Sequence, residues 1–345
     1  METTYLNDLS YEAKYNLARE VKTPAKILAI LAQNIDPRIR EAVAWNENTP
    51  VEALVMLAKD RDYNTRYAVA QANVPEEVLI QLASDDYLKV RCAVASNSNT
   101  PPFILATLAK DEDIRVRSAI AENKNTPANV LAMLAEDEDN EVRYAVAWNR
   151  NTSVDVLAML AKDEYNEVRS AVAENKNTPV EVLATLAKDK HECVRRGVSY
   201  NENTPDELLS VLAQDEDYTV RSAVAENKNT PVALLTVLAK EEDIHVRSAV
   251  AENINTPIEL LFALAQDKHW WVREQVAENE STSADVLAML AKDEEDDVRW
   301  VVALNKNTSI ETLVFLSKDN NEQVNKEAKD ALKERIEKDR TNIER

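Results

Sequence analysis

Apolar residues recur along the chain in two alternating patterns that together span 26 residues. One unit begins at Asn177 and reads NTPVEVLATLAKDKHECVRRGVSYNEN. Its first half places Leu183 and Leu186 three residues apart, a spacing typical of the buried stripe of an α-helix. Its second half predicts a shorter helix from about Val194 to Asn201. Each unit therefore predicts a pair of helices.

The unit is repeated with few changes, and one slot shows this most clearly. The six residues ENKNTP occur three times, 52 residues apart, from Glu122, Glu174 and Glu226. The slot is occupied by proline or serine at Pro24, Pro50, Pro75, Pro101, Pro127, Ser153, Pro179, Pro205, Pro231, Pro257, Ser283 and Ser309. Twelve units result, and the unit that starts at Pro50 is one residue short. A fixed period of this length is the signature of a repeat architecture.

The repeated ENKNTP segment predicts the end of one helix and the start of the next. Asn ends the second helix because it tolerates the left-handed conformation better than other non-glycine residues. Thr178 is the expected N-cap of the following helix, with Pro179 at its first position and Glu181 in its first turn. The same order recurs at Thr256, Pro257 and Glu259.

An acidic residue and an arginine recur six residues apart in successive units. The pairs are Asp137 and Arg143, Asp163 and Arg169, Asp189 and Arg195, Asp215 and Arg221, and Glu241 and Arg247. A row of catalytic carboxylates is one interpretation, but catalysis needs one unusual pair rather than many equal ones. A ladder of hydrogen-bonded ion pairs between stacked repeats is favoured.

Composition excludes several classes of site. Gly197 is the only glycine, so glycine-rich phosphate loops are excluded. The two cysteines, Cys92 and Cys193, have no metal or disulfide spacing, and the histidines, His191, His245 and His269, fall at differing repeat positions. The formal net charge of −21 opposes binding to phosphate backbones and anionic membranes and favours a neutral or basic partner. No apolar run is long enough to span a bilayer and no signal peptide is recognisable, so we expect a cytoplasmic protein.

The string LAKDxxxxVRxAVAxNxNTP, present in nearly every unit, resembles the leucine-rich repeat variant family, which is similar to HEAT-like α-solenoids. The resemblance covers about residues 13 to 325. It implies an all-α solenoid: a right-handed superhelix of about twelve 26-residue two-helix repeats with capping helices. We expect an N-terminal half-repeat cap over 1–22, the repeat array over 23–320 and a C-terminal capping helix over 321–345. No cofactor is expected, because the cysteine-bound iron–sulfur module of some relatives would need cysteines before Cys92.

The second and sixth residues after the valine of each Val-Arg pair are predicted to face away from the core. Large aromatics at these positions are typical of interface anchors. Tyr144, Trp148, Arg196 and Tyr200, separated by the small Ser170, predict a groove with aromatic walls that binds a peptide or protein segment. Aromatic rings lying flat on their own repeats, or a contact between copies, are the alternatives. Trp45 and Trp300 occupy the same face, and the resemblance to HEAT-like solenoids implies that this face lines the concave side.

Two further surfaces are candidates for binding. Glu226, Glu252, Glu274 and Glu278 form an acidic wall on the predicted exposed face, which is either a solvated surface or a site for a basic segment. A second patch lies before the Val-Arg pair. Its residues are Tyr218, Ile244 and Trp270, with Trp271 and His245 beside them. This turn patch is more typical of packing against the neighbouring turn than of binding.

The sequence therefore predicts a non-catalytic scaffold or adaptor that binds a protein or peptide, of neutral or basic character, on the exposed face of its second helices. No metal site and no catalytic residue is expected. The alternative is a nucleic-acid-associated HEAT-like protein, either a DNA-modifying enzyme or an acidic mimic that sequesters a basic DNA-binding protein. The missing basic stripe counts against the enzyme.

Overall fold

The computed structural model of the chain describes Leu6 and residues 8–343, with side chains up to residue 336. Every regular element in this part is an α-helix. The residues form two compact units, Met1–Asn177 and Thr178–Arg345. Within each unit, short helices alternate with slightly longer ones at the repeat period. The protein is an all-α solenoid, as the sequence predicts.

The helices of the first unit alternate between seven-residue first helices and second helices of mostly nine residues. They are α1 (Tyr11–Arg19), α2 (Ala25–Leu31), α3 (Pro37–Ala44), α4 (Val51–Leu57), α5 (Tyr63–Gln71), α6 (Glu76–Leu82), α7 (Leu88–Ser96), α8 (Pro102–Leu108), α9 (Ile114–Glu122), α10 (Ala128–Leu134), α11 (Asn140–Trp148), α12 (Val154–Leu160) and α13 (Asn166–Glu174).

The second unit continues the alternation and ends in one long helix. Its helices are α14 (Val180–Leu186), α15 (Glu192–Tyr200), α16 (Asp206–Leu212), α17 (Tyr218–Glu226), α18 (Val232–Leu238), α19 (Ile244–Glu252), α20 (Ile258–Leu264), α21 (Trp270–Glu278), α22 (Ala284–Leu290), α23 (Asp296–Leu304), α24 (Ile310–Leu316) and α25 (Glu322–Ile343).

The core of each unit is formed mainly between second helices of adjoining repeats. In α11, the side chains of Val142 and Val146 are fully buried and Ala145 is nearly so. Small and β-branched side chains allow the second helices to approach closely. The first helix contributes leucines such as Leu131 and Leu134, which cover its own second helix. The face of the second helix opposite this core is left for other uses.

The start of the first helix differs by one residue from the predicted cap. Pro50, and not Thr49, is the N-cap of α4, with extended backbone and with its carbonyl accepting the first helical hydrogen bonds. Thr49 is buried and its hydroxyl donates to the carbonyl of Val43, at 2.5 Å, in the preceding second helix. The threonine therefore closes the turn behind it, while Pro cannot donate an amide and so begins the helix without loss. Where serine replaces proline at Ser283, its hydroxyl does cap the helix.

The predicted left-handed asparagine is wrong. Among the described residues, none has a positive φ. Asn123, which ends α9, has extended backbone, and its side chain is buried. Its amide nitrogen donates to the carbonyls of Ala95 and Asn97 in the preceding repeat, at 2.7 and 3.1 Å. Its side-chain oxygen accepts from the amide of Asn125 at 2.9 Å. Asparagine is required here because its side-chain amide both donates and accepts hydrogen bonds, and not because its backbone is permissive.

The same amide bridge recurs along each unit, and we call it the asparagine column. In the first unit it comprises Asn46, Asn97, Asn123, Asn149 and Asn175; in the second, Asn227, Asn253, Asn279 and Asn305. Each donates to two carbonyls at the end of the preceding second helix. These carbonyls have no helical partner, so the column satisfies buried acceptors that would otherwise be costly.

A ladder of ion pairs between stacked repeats is present, as predicted, but the acidic residue six positions before each arginine is not its ion-pair partner: Arg143 pairs with Asp163 and meets only the backbone carbonyl of Asp137. The arginines of the pairs given below donate to the carboxylate 19 or 20 residues ahead and to the backbone carbonyl six residues behind. The interrepeat pairs span 2.5 to 2.8 Å: Arg40–Asp60, Arg66–Asp85, Arg91–Asp111, Arg117–Asp137, Arg143–Asp163, Arg195–Asp215, Arg221–Glu241, Arg247–Asp267, Arg273–Asp293 and Arg299–Asp319. Bidentate geometry in all of these pairs except Arg221–Glu241, together with burial, makes the contacts strong and specific.

The described ends of the array adapt the repeat. Helix α1 takes the place of a second helix, because the column residue Asn46 donates to the carbonyls of Ala18 and Glu20 at its end. In α25, Asn325 replaces the ladder arginine and donates to the carbonyl of Ser317. The predicted boundaries at residues 22 and 320 stay a prediction, and residues 1–5, 7, 344 and 345 of the expected caps lie outside the described part.

We expect Asn123→Ala to lower the free energy of unfolding by about 2–3 kcal/mol, because the buried Ala95 carbonyl loses its donor and the Asn97 carbonyl keeps only the Thr100 amide. The matched control is Asn125→Ala in the same turn. Asn125 is exposed and donates to one exposed carbonyl, so the cost should be about 0.5 kcal/mol. Urea unfolding of both variants measures the difference. Equal costs would contradict the role of the column.

Stability should fall in acid because the ladder carboxylates must stay ionised. Burial opposes ionisation of Asp137, but hydrogen bonds from Arg117 and from the Asp139 amide outweigh it and hold the pKa of Asp137 below its usual value. The pKa of Asp267 is lowered in the same way in the second unit. When the pKa of an aspartate is lower in the folded state, ionisation stabilises the fold at pH values above the pKa in the unfolded chain, about 3.9. This stability is lost as the pH falls through the pKa in the folded protein.

Urea midpoints should therefore be constant between about pH 5 and 7 and drop steeply below about pH 4. The variant Asp137→Asn should be less stable at neutral pH, by about 3 kcal/mol, and should lose less on acidification. A wild-type midpoint that is unchanged in acid would rule out this account of the ladder.

Candidate binding surfaces on the second helices

The aromatic residues predicted to form a groove are exposed, and they lie in both units. Tyr144 and Trp148 of the first unit are 41% and 44% exposed, and their rings meet edge to face with centroids 6.3 Å apart. Ser170 is half-buried, and its hydroxyl lies 3.3 Å from the carboxylate of Glu174. The exposed Arg196 and Tyr200 belong to the second unit. The groove that would join the five predicted residues stays a prediction.

Exposure on this face is uneven. The sixth position after the valine is mostly exposed, whereas the second is often half-buried by its neighbours. Half-buried side chains at the second position are Glu41, Cys92, Ser118, Ser222 and Glu274, and Ser248 is buried. The large residues Trp45, Trp300 and Leu304 remain exposed.

A second aromatic cluster lies near the start of the first unit, and the sequence analysis missed one member. Trp45 is 48% exposed and meets the ring of Tyr67 edge to face, with centroids 5.9 Å apart. The ammonium of Lys89 lies 4.3 Å from the Tyr67 ring centroid, over its face. Tyr67 escaped notice because its repeat has Thr65 where other repeats have valine. The alanine pattern that follows Thr65 would have placed Tyr67 on the exposed face.

Three glutamates of the second unit lie at the same place in successive repeats. Glu226, Glu252 and Glu278 are the last residues of α17, α19 and α21, and we call them the acidic row. Within the described residues, none of the three forms an ion pair with a lysine or arginine. Two lysines in the adjoining loops pair with other carboxylates: Lys228 with Glu202 at 2.9 Å and Lys306 with Glu280 at 2.7 Å.

The acidic row is electrostatically unfavourable to the folded protein. A carboxylate at a helix C-terminus faces the negative end of the helix dipole. Burial raises the pKa of Glu252, and the neighbouring charges of Glu226 and Glu278 raise it further. Burial also raises the pKa of Glu274, with further contributions from Asp297 and Glu278. These carboxylates are thus close enough to repel one another, which gives a strongly negative surface that attracts cations.

Cavities lie between neighbouring members of this row. One of about 290 Å³ is lined by Glu226, Glu252 and Lys228, the lysine that pairs with Glu202, and one of about 200 Å³ by Glu252 and Glu278. A larger one of about 470 Å³ is lined by Glu274, Glu278, Glu280, Trp300, Leu304 and Lys306. Trp300, which is 39% exposed, therefore adds an aromatic wall to a cavity with carboxylates at its rim. This arrangement suits a cationic side chain beside an apolar one.

The turn patch differs from the predicted grouping. The ring of Tyr218 lies 5.3 Å from that of His245, and His245 lies 5.2 Å from Trp271 in an edge-on contact. Ile244 is half-buried, and Trp270 contacts His269, with centroids 5.9 Å apart. The structure thus brings together Tyr218, His245 and Trp271 in three successive repeats. His245 and Trp271 each follow the predicted residue, Ile244 or Trp270, by one position.

Groups that could support chemistry are sparse in the described part of the chain. It holds no cluster of three histidine, cysteine or acidic side chains suited to a metal ion. Burial raises the pKa of the Cys92 thiol, with a further contribution from Asp113, so this thiol is a weak nucleophile. Within the same residues, no helix is both long and apolar enough to cross a membrane.

Replacing Glu252 by glutamine should stabilise the protein near neutral pH. Because the pKa of Glu252 is raised in the folded protein, its effect on stability is most favourable at pH values below the pKa in the unfolded chain, about 4.3. That stability is lost as the pH rises through the pKa in the folded protein. Glutamine stays neutral throughout. The urea midpoint of Glu252→Gln should therefore exceed that of the wild type at pH 7 and match it near pH 3.5.

The matched control is Glu122→Gln, because Glu122 also ends its helix but has Ser96 and Trp148 at the same place in the adjoining repeats. Its gain at pH 7 should be smaller. An equal gain for both variants would show that the dipole alone, and not repulsion within the row, disfavours Glu252.

Comparison with known proteins identifies the repeat. The family model described as leucine rich repeat variant matches residues 88–113 and 167–191. No curated protein matches the chain. A solved structure described as a leucine-rich repeat variant with a novel repetitive protein structural motif is 28% identical. The match covers 65% of this chain and 88% of that one, with a TM-score of 0.48.

Two other solved structures are more distant. Kap121p bound to RanGTP is 14% identical, with 96% of this chain and 46% of that chain covered and a TM-score of 0.38. Importin beta in an ammonium sulfate condition is 13% identical, with 96% and 50% covered and a TM-score of 0.30. The resemblance predicted from the repeated string is confirmed in the two matched units, 88–113 and 167–191, which are similar to leucine-rich repeat variant repeats.

Proposed function

We propose that the protein is a non-catalytic scaffold that binds a basic segment of another protein along the acidic row of its second unit. The observation that carries the proposal is the mutual repulsion of Glu226, Glu252 and Glu278. Burial and the charges of Glu226 and Glu278 raise the pKa of Glu252, and all three carboxylates end helices in the direction that the helix dipole disfavours, so the row lowers stability. Costs of this kind are typical of functional surfaces.

The chemistry of the row favours lysine and arginine side chains. Each cavity between row members has a carboxylate on both sides, at the 26-residue repeat spacing. An extended basic peptide would place a cation near each carboxylate and relieve the repulsion between them. The Trp300 cavity at the end of the row would take an apolar or cationic side chain as an anchor.

The aromatic groove predicted from Tyr144, Trp148, Ser170, Arg196 and Tyr200 remains a second proposed surface for the same kind of partner. What supports it is the exposure of Tyr144, Trp148 and Tyr200, because large exposed aromatics are the residue type that anchors interfaces. The turn patch stays a structural interpretation, and the predicted cytoplasmic location stays a prediction.

A fluorescein-labelled peptide of alternating lysine and serine tests the proposal by fluorescence anisotropy. Affinity should fall steeply between about 50 and about 300 mM NaCl, because the attraction is between exposed charges. The double variant Glu252→Gln, Glu278→Gln should bind about tenfold more weakly, and Trp300→Ala should also weaken binding. The variant Glu122→Gln should bind as the wild type does.

Equal loss of affinity in the Glu122 variant would mean that net charge alone attracts the peptide, which would contradict a site on the row. Duplex DNA provides the test of the alternative. If the protein itself bound DNA, a nucleic-acid-associated function would replace the scaffold function. If DNA instead displaced a basic DNA-binding protein that the chain had captured, the chain would be an acidic mimic of nucleic acid.

A further inference from the structure

The asparagine column is interrupted at one place in the first unit. Helix α5 ends at Gln71, and the column position that follows is Ala72. In the next repeat, Asn97 donates to the carbonyls of Ala70 and Ala72 at 2.7 and 3.1 Å, so Ala72 keeps its place as an acceptor. Its methyl group has no amide to donate to the preceding repeat. The same turn is one residue shorter than in the other repeats.

Two carbonyls of the preceding repeat lack the asparagine donor as a result. By register, the missing amide would reach Ala44 and Asn46, as Asn123 reaches Ala95 and Asn97. Among the described residues, no donor bonds the Ala44 carbonyl outside the regular helix pattern, and the Asn46 carbonyl accepts only from the Thr49 amide, at 2.9 Å. Both acceptors are therefore available to an outside donor.

A cavity of about 480 Å³ lies at this interruption. It is lined by residues on both sides of the missing bridge, among them Ala44, Trp45, Asn46, Glu47, Gln71 and Ala72. Its volume is within the range of sites that hold a small ligand or a long side chain. The cavity thus combines carbonyl acceptors, a carboxylate and an aromatic wall.

The charge at the rim is also without a partner. Glu47 follows the column residue Asn46, and at the same place in the second unit Glu202 and Glu280 pair with Lys228 and Lys306. The residue that would face Glu47 one repeat later is Asn73, and among the described residues no cation pairs with Glu47. A cation bound here would meet a carboxylate and the face of Trp45.

The protein itself shows which donor fits such carbonyls. No further asparagine follows Asn305, the last column residue of the second unit. Of the two carbonyls that such an asparagine would reach, those of Ala303 and Asn305, the Asn305 carbonyl accepts from the guanidinium of Arg335 in α25. Arg335 donates to the carbonyls of Asn305 and Lys306, at 3.2 and 2.8 Å, and to that of Thr308. A guanidinium has five donors in a planar fork, so one group can serve several carbonyls.

We propose that the cavity at Ala72 binds an arginine side chain of a protein partner. The guanidinium would bridge the carbonyls of Ala44 and Asn46 in place of the missing asparagine amide, with Glu47 as its counter-ion and Trp45 against its face. This site lies in the first unit and does not depend on the acidic row of the second. A partner with an exposed arginine would be held in register with the short repeat.

The test compares three blocked peptides of sequence Gly-Ser-X-Ser-Gly, in which X is arginine, lysine or citrulline. Binding to the full-length chain is followed by calorimetry and by the indole NMR signal of Trp45, at about 300 mM NaCl to screen the acidic row. The arginine peptide should bind about tenfold more tightly than the lysine or citrulline peptide, because only arginine combines charge with planar donors. It should also shift the Trp45 signal.

The decisive variant is Ala72→Asn, which restores the missing amide. It should abolish arginine binding and raise the melting temperature, because the new side chain occupies the two carbonyls. The same substitution at the exposed Ala128, the first residue of α10, should leave arginine binding unchanged. Glu47→Gln, which keeps the shape of the site, should weaken binding several-fold without unfolding the protein.

Three results would overturn the proposal: undiminished arginine binding by both the Ala72→Asn and Glu47→Gln variants, equal affinity for the three peptides, or binding that leaves the Trp45 signal unmoved. A failure of the lysine-serine peptide at the acidic row would leave this result unaffected, because that experiment reads a different unit.

Discussion

The buried carbonyls at the end of each second helix impose the constraint on which this fold depends. A helix end leaves acceptors without intrahelical donors, and stacking the next repeat on top would seal them from water. The asparagine amide resolves this by donating to two carbonyls of the preceding repeat and accepting from its own turn. Because each amide must reach back by one repeat, the column fixes the spacing of the second helices within each unit. No buried side-chain polar atom of the described residues lacks a partner.

The arginine ladder provides a second, electrostatic connection at the opposite ends of the same helices. Each arginine fork joins a carboxylate of the next repeat to a carbonyl of its own. Burial alone would discourage these ions, but hydrogen bonds to the partner carboxylate and to a backbone carbonyl compensate. With packing, column and ladder all satisfied on the core side, the outward positions of the second helices are free to vary. That freedom explains why one part of the face carries aromatics such as Trp148 and another carries the acidic row.

Much of this could be predicted from the sequence, because a repeat shows the same solution many times. The helix pairs, the ladder and the exposure of the aromatic residues followed from spacing alone. The cap was misplaced by one residue because Thr and Pro are both good helix starters, and only the hydroxyl bond of Thr49 to Val43 separates them. The role of asparagine was wrong because its backbone freedom is visible in the sequence, whereas a contact to the preceding repeat is not. Tyr67 was not predicted because exposed positions were counted from the valine of each Val-Arg pair, and this repeat has Thr65 in place of that valine.

The candidate sites were less predictable than the fold. Carboxylates at the repeat spacing could be read from the sequence, but their mutual effect on the pKa of Glu252 depends on burial and distance. The missing residue near Asn73 was visible, but the cavity beside it was not. That cavity lies where Ala72 replaces a column asparagine. The effect of this replacement can be inferred only once the contacts of the other column asparagines are known. The sites thus emerge where the repeat departs from its own rule.

Hydrogen exchange of asparagine side-chain amides, followed by NMR, tests the central role of the column most directly. The account predicts slow exchange for the buried amides of Asn123, Asn149, Asn253 and Asn279, because each donates to carbonyls sealed between repeats. The neighbouring Asn125, Asn151 and Asn255, which are exposed in the same turns, should exchange much faster. Similar rates for the two sets would contradict the claim that the column holds the repeats together.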